Sequence, residues 1–186
     1  ITACVANATG LITDKSCHAH GGAMYVLFKV SDGNPLHGSM SLTHTTISDC
    51  ASTTAGSGTA FGGAMEIVGQ WIVTLDDATI AACVAASGAG NAYGGAVHSS
   101  SGALLSITNT TISDCTASTA GEGTLAHGLN PLAQGGGLNL RQGRATLHST
   151  TITSCSVRSC SGCVGLGGGL YAEDTHVLLE HGSFIE

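Results

Sequence analysis

The sequence is poor in several things at once. Aromatic residues make up 4% of it, charged residues 9%, and Pro occurs twice. No run of about 18 apolar residues is present, so nothing is expected to cross a bilayer as a helix. With so few aromatics, a globular core of ordinary design is hard to fill. Near-absence of Pro and a Gly distribution without a three-residue period exclude collagen. Five Lys plus Arg against twelve Asp plus Glu give a net charge of −7. Nucleic acid is therefore excluded as a partner, because a basic stripe would be needed to neutralise phosphates. What remains is apolar without being large: 42% of the 186 residues are apolar, 28 are Gly, and the mean hydropathy is +0.29. Disorder goes with low hydropathy and high charge, and is excluded too. One domain covering residues 1–186 is the default for this length.

Eight Cys is a high and even number, pointing to an oxidising, extracellular or cell-surface setting. Two N-x-[ST] sequons agree with it, at Asn7 and Asn109, and both are candidate glycan acceptors if the source is eukaryotic. The chain opens on Ile1 with no leader ahead of it, so it reads as processed or as a piece of something longer.

The strongest signal is an internal repeat. Gly-Gly-[Ala/Gly]-apolar begins at Gly21, Gly62, Gly94, Gly135 and Gly167, in steps of 41, 32, 41 and 32. A second motif follows each: Thr46 to Cys50, Thr79 to Cys83, Thr111 to Cys115, Thr151 to Cys155, and Ser183 to Glu186. Ile1 to Cys4 is the tail of the same motif. Aligned on its Ile, with Phe184 taken as the last member, the repeats form columns. Leu42, Leu75, Ile107, Leu147 and Leu179 stand five residues earlier, and Met40, Val73, Leu105, Ala145 and Val177 two before those. Spacing by two is the strand period. The step of five breaks that parity, so a bend falls between. Each repeat predicts three short strands, around Gly-Gly-Ala-Met-Glu-Ile, Ile-Val-Thr-Leu and Thr-Ile-Ala. The variable stretches between Cys and Gly-Gly predict loops on one edge.

Three short strands per repeat, each repeat stacked on the next, describe an all-β fold: a right-handed parallel β-helix of about five coils. The pattern resembles the pectin-lyase-like β-helix proteins. It is most similar to the polymorphic outer membrane protein type of repeat, which pairs Gly-Gly-Ala-[Ile/Leu/Val] with Phe-x-x-Asn; here Cys stands where that repeat has Asn. The resemblance implies an architecture and no catalytic residues. Enzymes with this fold act on acidic or neutral polysaccharides, and its lyases use Ca²⁺ with a basic residue.

Candidate chemistry is sparse. Cys4, Cys50, Cys83, Cys115 and Cys155 form one column, whose vertical spacing suits either a ladder of buried thiols or coil-to-coil bridges. Cys17, Cys160 and Cys163 fall off it. The Cys160–Cys163 pair has redox or zinc spacing but lacks a second ligand pair, and reads as part of a local loop bridge in which Cys155 is a further partner. At least partial disulfide bonding among these eight is expected. His148, Glu180 and His181, or His18 with His20, are the nearest approach to a metal site, yet exposed polar filler describes them better. Asp76 and Asp77 are the one Asp-Asp pair, and adjacent strand residues point to opposite faces. Lys15, Lys29 and Arg158 are scattered; only Arg141 and Arg144 lie close together. No cofactor is expected. Thr46, Thr79, Thr111, Thr151 and Ser183, with Ser48, Ala81, Ser113 and Thr153, make a T-x-[ST] array that resembles the ice-binding face of some β-helical antifreeze proteins.

The expected function is a non-enzymatic structural or surface-interaction β-helix that builds a fibre or stalk. Polysaccharide binding or cleavage and ice binding are the alternatives. With Ile1 and Phe184 in one column, both end coils are expected to be covered by copies of the chain or by further β-helix coils, with glycans as possible partners.

Overall fold

The computed structural model describes residues 1–8, 18–27, 38–120 and 130–186. Cys17, Lys15 and Lys29 lie outside these. Among the described residues there is no helix long and apolar enough to cross a membrane. Among the described residues, twenty-five short strands form five parallel sheets of five strands each. Each sheet takes one strand from every coil, so the chain is a parallel β-helix of five rungs.

The third rung shows the plan. After Cys83 come Val84–Ser87, Ala92–Tyr93, Val97–Ser100, Leu104–Thr108 and Thr111–Ser113, before Cys115 opens the next rung. The last three are the strands expected from the repeat. The first two lie in the stretch read as loop, one directly after Cys and one directly before Gly-Gly. Length varies between these two, as from Thr54 to Thr59 and from Thr119 to Leu132, and once more between Leu27 and Gly38. Asn7 accordingly falls in the strand Val5–Ala8, paired with Thr53, and not in a loop.

Bends are made by columns of residues with left-handed backbone. His44, Asp77, Asn109, Ser149 and His181 have φ of 45–50° and separate the Leu column from the Ile column. Ala3, Asp49, Ala82, Asp114 and Ser154, at 53–56°, precede each column Cys. Short polar residues adopt this conformation at least cost after Gly. That explains the broken parity: the chain turns a corner between two strands that both face inward. The second Gly of each pair has another task. A Cβ on Gly95 would run into the Gly136 carbonyl oxygen and the Thr116 backbone, so this corner closes only without a side chain.

Inside, Ile47, Ile80, Ile112 and Ile152 stack in register, beside Leu75, Ile107 and Leu147. All are buried. One expectation fails at the last rung. Phe184 pairs with Thr151, and Ile185 with Ile152, so Ile185 and not Phe184 completes the Ile column. Gly182, at φ 75°, adds one residue to this corner, and the Ser183 hydroxyl donates to the Leu147 carbonyl much as Thr150 donates to that of Ile107. Phe184 is pushed outward and is 55% exposed. The outermost strands also expose Val5, Leu27, Leu178 and Leu179.

Burial dictates where substitution hurts. Ile112→Ala, in the sealed middle rung, should cost about 2–5 kcal/mol, whereas Leu104→Ala on the outer face should cost under about 1 kcal/mol. Urea denaturation of both variants checks this; equal losses would contradict the assigned facing.

Candidate functional site

Two columns of side chains meet on the outside of the helix, across the Gly-Gly corner. The strand ending before each Gly-Gly contributes His20, Phe61, Tyr93, Gln134 and Leu166, in register. The strand after it contributes Tyr25, Glu66, His98, Asn139 and Tyr171. Side chains alternate along that second strand, so Met65, Val97 and Leu138 fill the core while Glu66, His98 and Asn139 face outward. Yet these three are also buried, because the first column folds over them.

The cover is a ladder of rings. His20 lies between Tyr25 and Phe61, with centroids 4.6 and 5.5 Å away, and Phe61 continues to Tyr93 at 5.5 Å and His98 at 5.0 Å. Offset and tilted arrangements at such distances are the favourable ones for aromatic pairs. Arg141 sits 5.7 Å from the Tyr93 ring and pairs with Glu173 at 2.6 Å.

Beneath the rings the polar groups are paired. Glu66 Oε2 lies 2.6 Å from His20 Nδ1. Burial pushes the Glu66 carboxyl up to about 8 and His20 down from its ordinary value. Both directions favour a neutral pair at pH 7, in which the carboxylic acid donates to the imidazole. His98 Nδ1 donates to Asn139 Oδ1 at 3.0 Å, and burial holds His98 down at about 4. Asn139 Nδ2 reaches Gln134 Oε1 at 3.5 Å. His18 is lowered as well, by burial and then by His20.

Two cavities of about 330 Å³ each lie along this face. His18, His20, Tyr25 and Glu66 border one, and Arg141, Gln142, Glu173 and Asp174 the other. Phe61, His98 and Ser100 border both, so the two are neighbours along the stack. Their lining runs from the first rung to the fifth, roughly four spacings of about 4.8 Å.

The other sequence candidates are dispersed. Cys160 and Cys163 form a disulfide, while Cys4, Cys50, Cys83, Cys115 and Cys155 are thiols. Asn109 is exposed at a corner between two strands. His148 lies 3.7 Å from Glu180 and its ring 4.6 Å from that of His181, but among the described residues no three His, Cys, Asp or Glu converge as a metal site. Asp77 turns the corner towards His44, at 3.3 Å, while Asp76 ends a strand. Arg141 borders one of the cavities, and exposed Arg144 starts the next sheet. The Thr array is in register over Thr46, Thr79, Thr111 and Thr151, but Phe184, not Ser183, ends it. Sequence reasoning passed over Glu66, His98, Phe61, Tyr93 and Asn139. Their signal was the phase: the residue before Gly-Gly, and the polar residue four positions after it. No protein-family model, curated protein or solved structure matches this chain.

The buried acid and imidazole set opposing limbs of stability. Glu66, raised from 4.5 to about 8, contributes stability present below about pH 4.5 and lost as pH rises through 8. His98, lowered from 6.5 to about 4, contributes stability present above about pH 6.5 and lost as pH falls through 4. Thermal midpoints should therefore fall from pH 6.5 to 8, and Glu66→Gln should flatten that limb alone. An unchanged alkaline limb in the variant would contradict the assignment.

Proposed function

We propose that this chain is a non-enzymatic, extracellular β-helix whose outer groove holds an extended polyhydroxylated chain, a polysaccharide. The observation that carries the reading is the pair of neighbouring cavities, with Phe61, His98 and Ser100 in the lining of both, which we read as one groove along the stack. The part-exposed rings of His20, Tyr25 and Phe61 offer apolar surface to sugar rings, and Gln142 and Ser100 supply hydrogen bonds at the walls. Kinship with the polymorphic outer membrane protein type of repeat belongs to the same proposal. The Cys160–Cys163 disulfide supports the extracellular setting.

Binding is favoured over cleavage by spacing. Glu66 on the second rung and Glu173 on the fifth are three rungs apart, about 14 Å at the sheet spacing. Paired-carboxylate glycoside hydrolysis works at about 5–9.5 Å. The Thr array, one strand wide and interrupted at Ala81 and Phe184, is a less continuous surface than the groove.

Affinity electrophoresis through gels containing xylan, galactan, hydroxyethylcellulose or polygalacturonate tests the reading. At least one polymer should retard the protein, Phe61→Ala should remove the retardation, and no reducing ends should appear. Free migration in all four, or release of fragments, would reject it.

A second reading concerns the ends. Val5, at 66% exposed, and Phe184, at 55%, lie on outermost strands whose outer edges carry no described partner. Further β-helix seated on these edges, from a copy or from a longer chain, would continue every column and give a fibre or stalk. Sedimentation velocity should then show concentration-dependent association that Phe184→Asp weakens; a concentration-independent monomer would count against stacking of copies.

A further inference from the structure

The five column thiols have no part in the groove, and their arrangement carries its own chemistry. Each opens a rung directly after a left-handed residue, so all five side chains leave the backbone in the same direction. Neighbouring rungs are in register on both sides of the column: Thr2 bridges Ser48, and Val5 pairs with Ala51. Cys4 thus lies directly over Cys50, about 4.8 Å away at the sheet spacing. That is inside the window of about 4.4–6.8 Å that a disulfide needs between Cα atoms. Each thiol donates to a carbonyl two residues back in its own rung, Cys4 to Thr2 at 3.7 Å and Cys50 to Ser48 at 3.2 Å, so the two are oriented alike. Access differs sharply along the column. Cys50, Cys83 and Cys115 have no exposed surface and Cys155 only 9%, whereas Cys4 is half-buried.

We infer that Cys4 and Cys50 form a dithiol redox site, in which a small-molecule disulfide drives formation of an inter-rung bridge while Cys83 and Cys115 stay reduced. Cys4, as thiolate, attacks one sulfur of the reagent, forming a mixed disulfide and expelling one reagent thiolate. Cys50 then attacks Cys4 Sγ from directly below and expels the second. The two protein thiols are oxidised to one disulfide, the reagent is reduced to two thiols, and the two protons lost by Cys4 and Cys50 end on those. Attack needs an accessible thiolate. Burial, the largest influence on it, holds the Cys50 thiol up at about 11, which keeps it from starting the reaction; its resolving attack rests on its place directly below Cys4, where the step is intramolecular. Only neighbours in the column can bridge, so five thiols yield at most two disulfides and leave at least one thiol over.

The test is oxidation of the folded chain with oxidised glutathione, followed by maleimide labelling after denaturation and mapping of linked peptides by mass. The first new link should join the Cys4 and Cys50 peptides, with Cys83 and Cys115 still labelled. In Cys50→Ala the reaction should stop at a glutathione adduct on Cys4. In Cys4→Ala, which alters only the half-exposed end of the column, Cys50 should stay labelled over the same time. A first link that leaves out Cys4 or Cys50, no link at all in the wild-type chain, or a Cys50 that oxidises as fast without Cys4, would overturn the inference.

Discussion

Each rung lies about 4.8 Å above the one below, in register, so every side chain has its own counterpart as nearest neighbour. The rest of the structure follows from that constraint. A residue type survives in a column only if it tolerates its like at that distance. Ile on Ile and Leu on Leu satisfy it by packing, and Cys on Cys by thiol contacts. Charge does not: like charges stacked directly are destabilising. This fits a solenoid built with 9% charged residues, in which Asp49, Asp77, Asp114 and Asp174 sit at corners and Arg141 stands opposite Glu173. It also explains the scarcity of aromatics in the core. Aliphatic residues fill the interior of each rung: Ile, Leu, Val and Ala, with Met65.

The groove uses the same register differently. Glu66, His98 and Asn139 occupy one column, and three unlike polar groups stack there without like-charge repulsion because the acid and the imidazole are both neutral near pH 7. Covering them with His20, Phe61 and Tyr93 strengthens each hydrogen bond beneath and raises the cost of leaving one unmade. A buried polar column serves no packing purpose that Ile would not serve better. Its presence on the outer face is what sets the groove apart from ordinary solenoid surface.

The repeat made most of the fold legible. Gly-Gly phase, the Ile and Leu columns, the parity break and the five coils could all be read from spacing, because each reflects a backbone requirement repeated five times. The strands after Cys and before Gly-Gly were harder, since Ala51–Thr54 and Thr59–Phe61 carry small residues without a clear apolar alternation. The last corner was misphased because one added residue, Gly182, shifts Phe184 from the core to the surface. The groove was largely hidden. Its residues vary from rung to rung, so no column announces itself by identity, and only their common distance from Gly-Gly joins His20 to Phe61 or Glu66 to His98. A local bridge around Cys160 and Cys163 was legible from their spacing, but only the fold shows that they pair with each other while Cys155 stays a thiol inside the column.

If the groove reads an extended chain along the stack, affinity must depend on ligand length. Calorimetric titration with oligosaccharides of increasing length, drawn from whichever polymer retards the protein, measures this directly. Affinity should climb with each added sugar until the ligand spans roughly four rung spacings of about 4.8 Å, and then level off. Affinity already at its limit with a single sugar, and unchanged by further units, would contradict a binding surface that runs the length of the rungs.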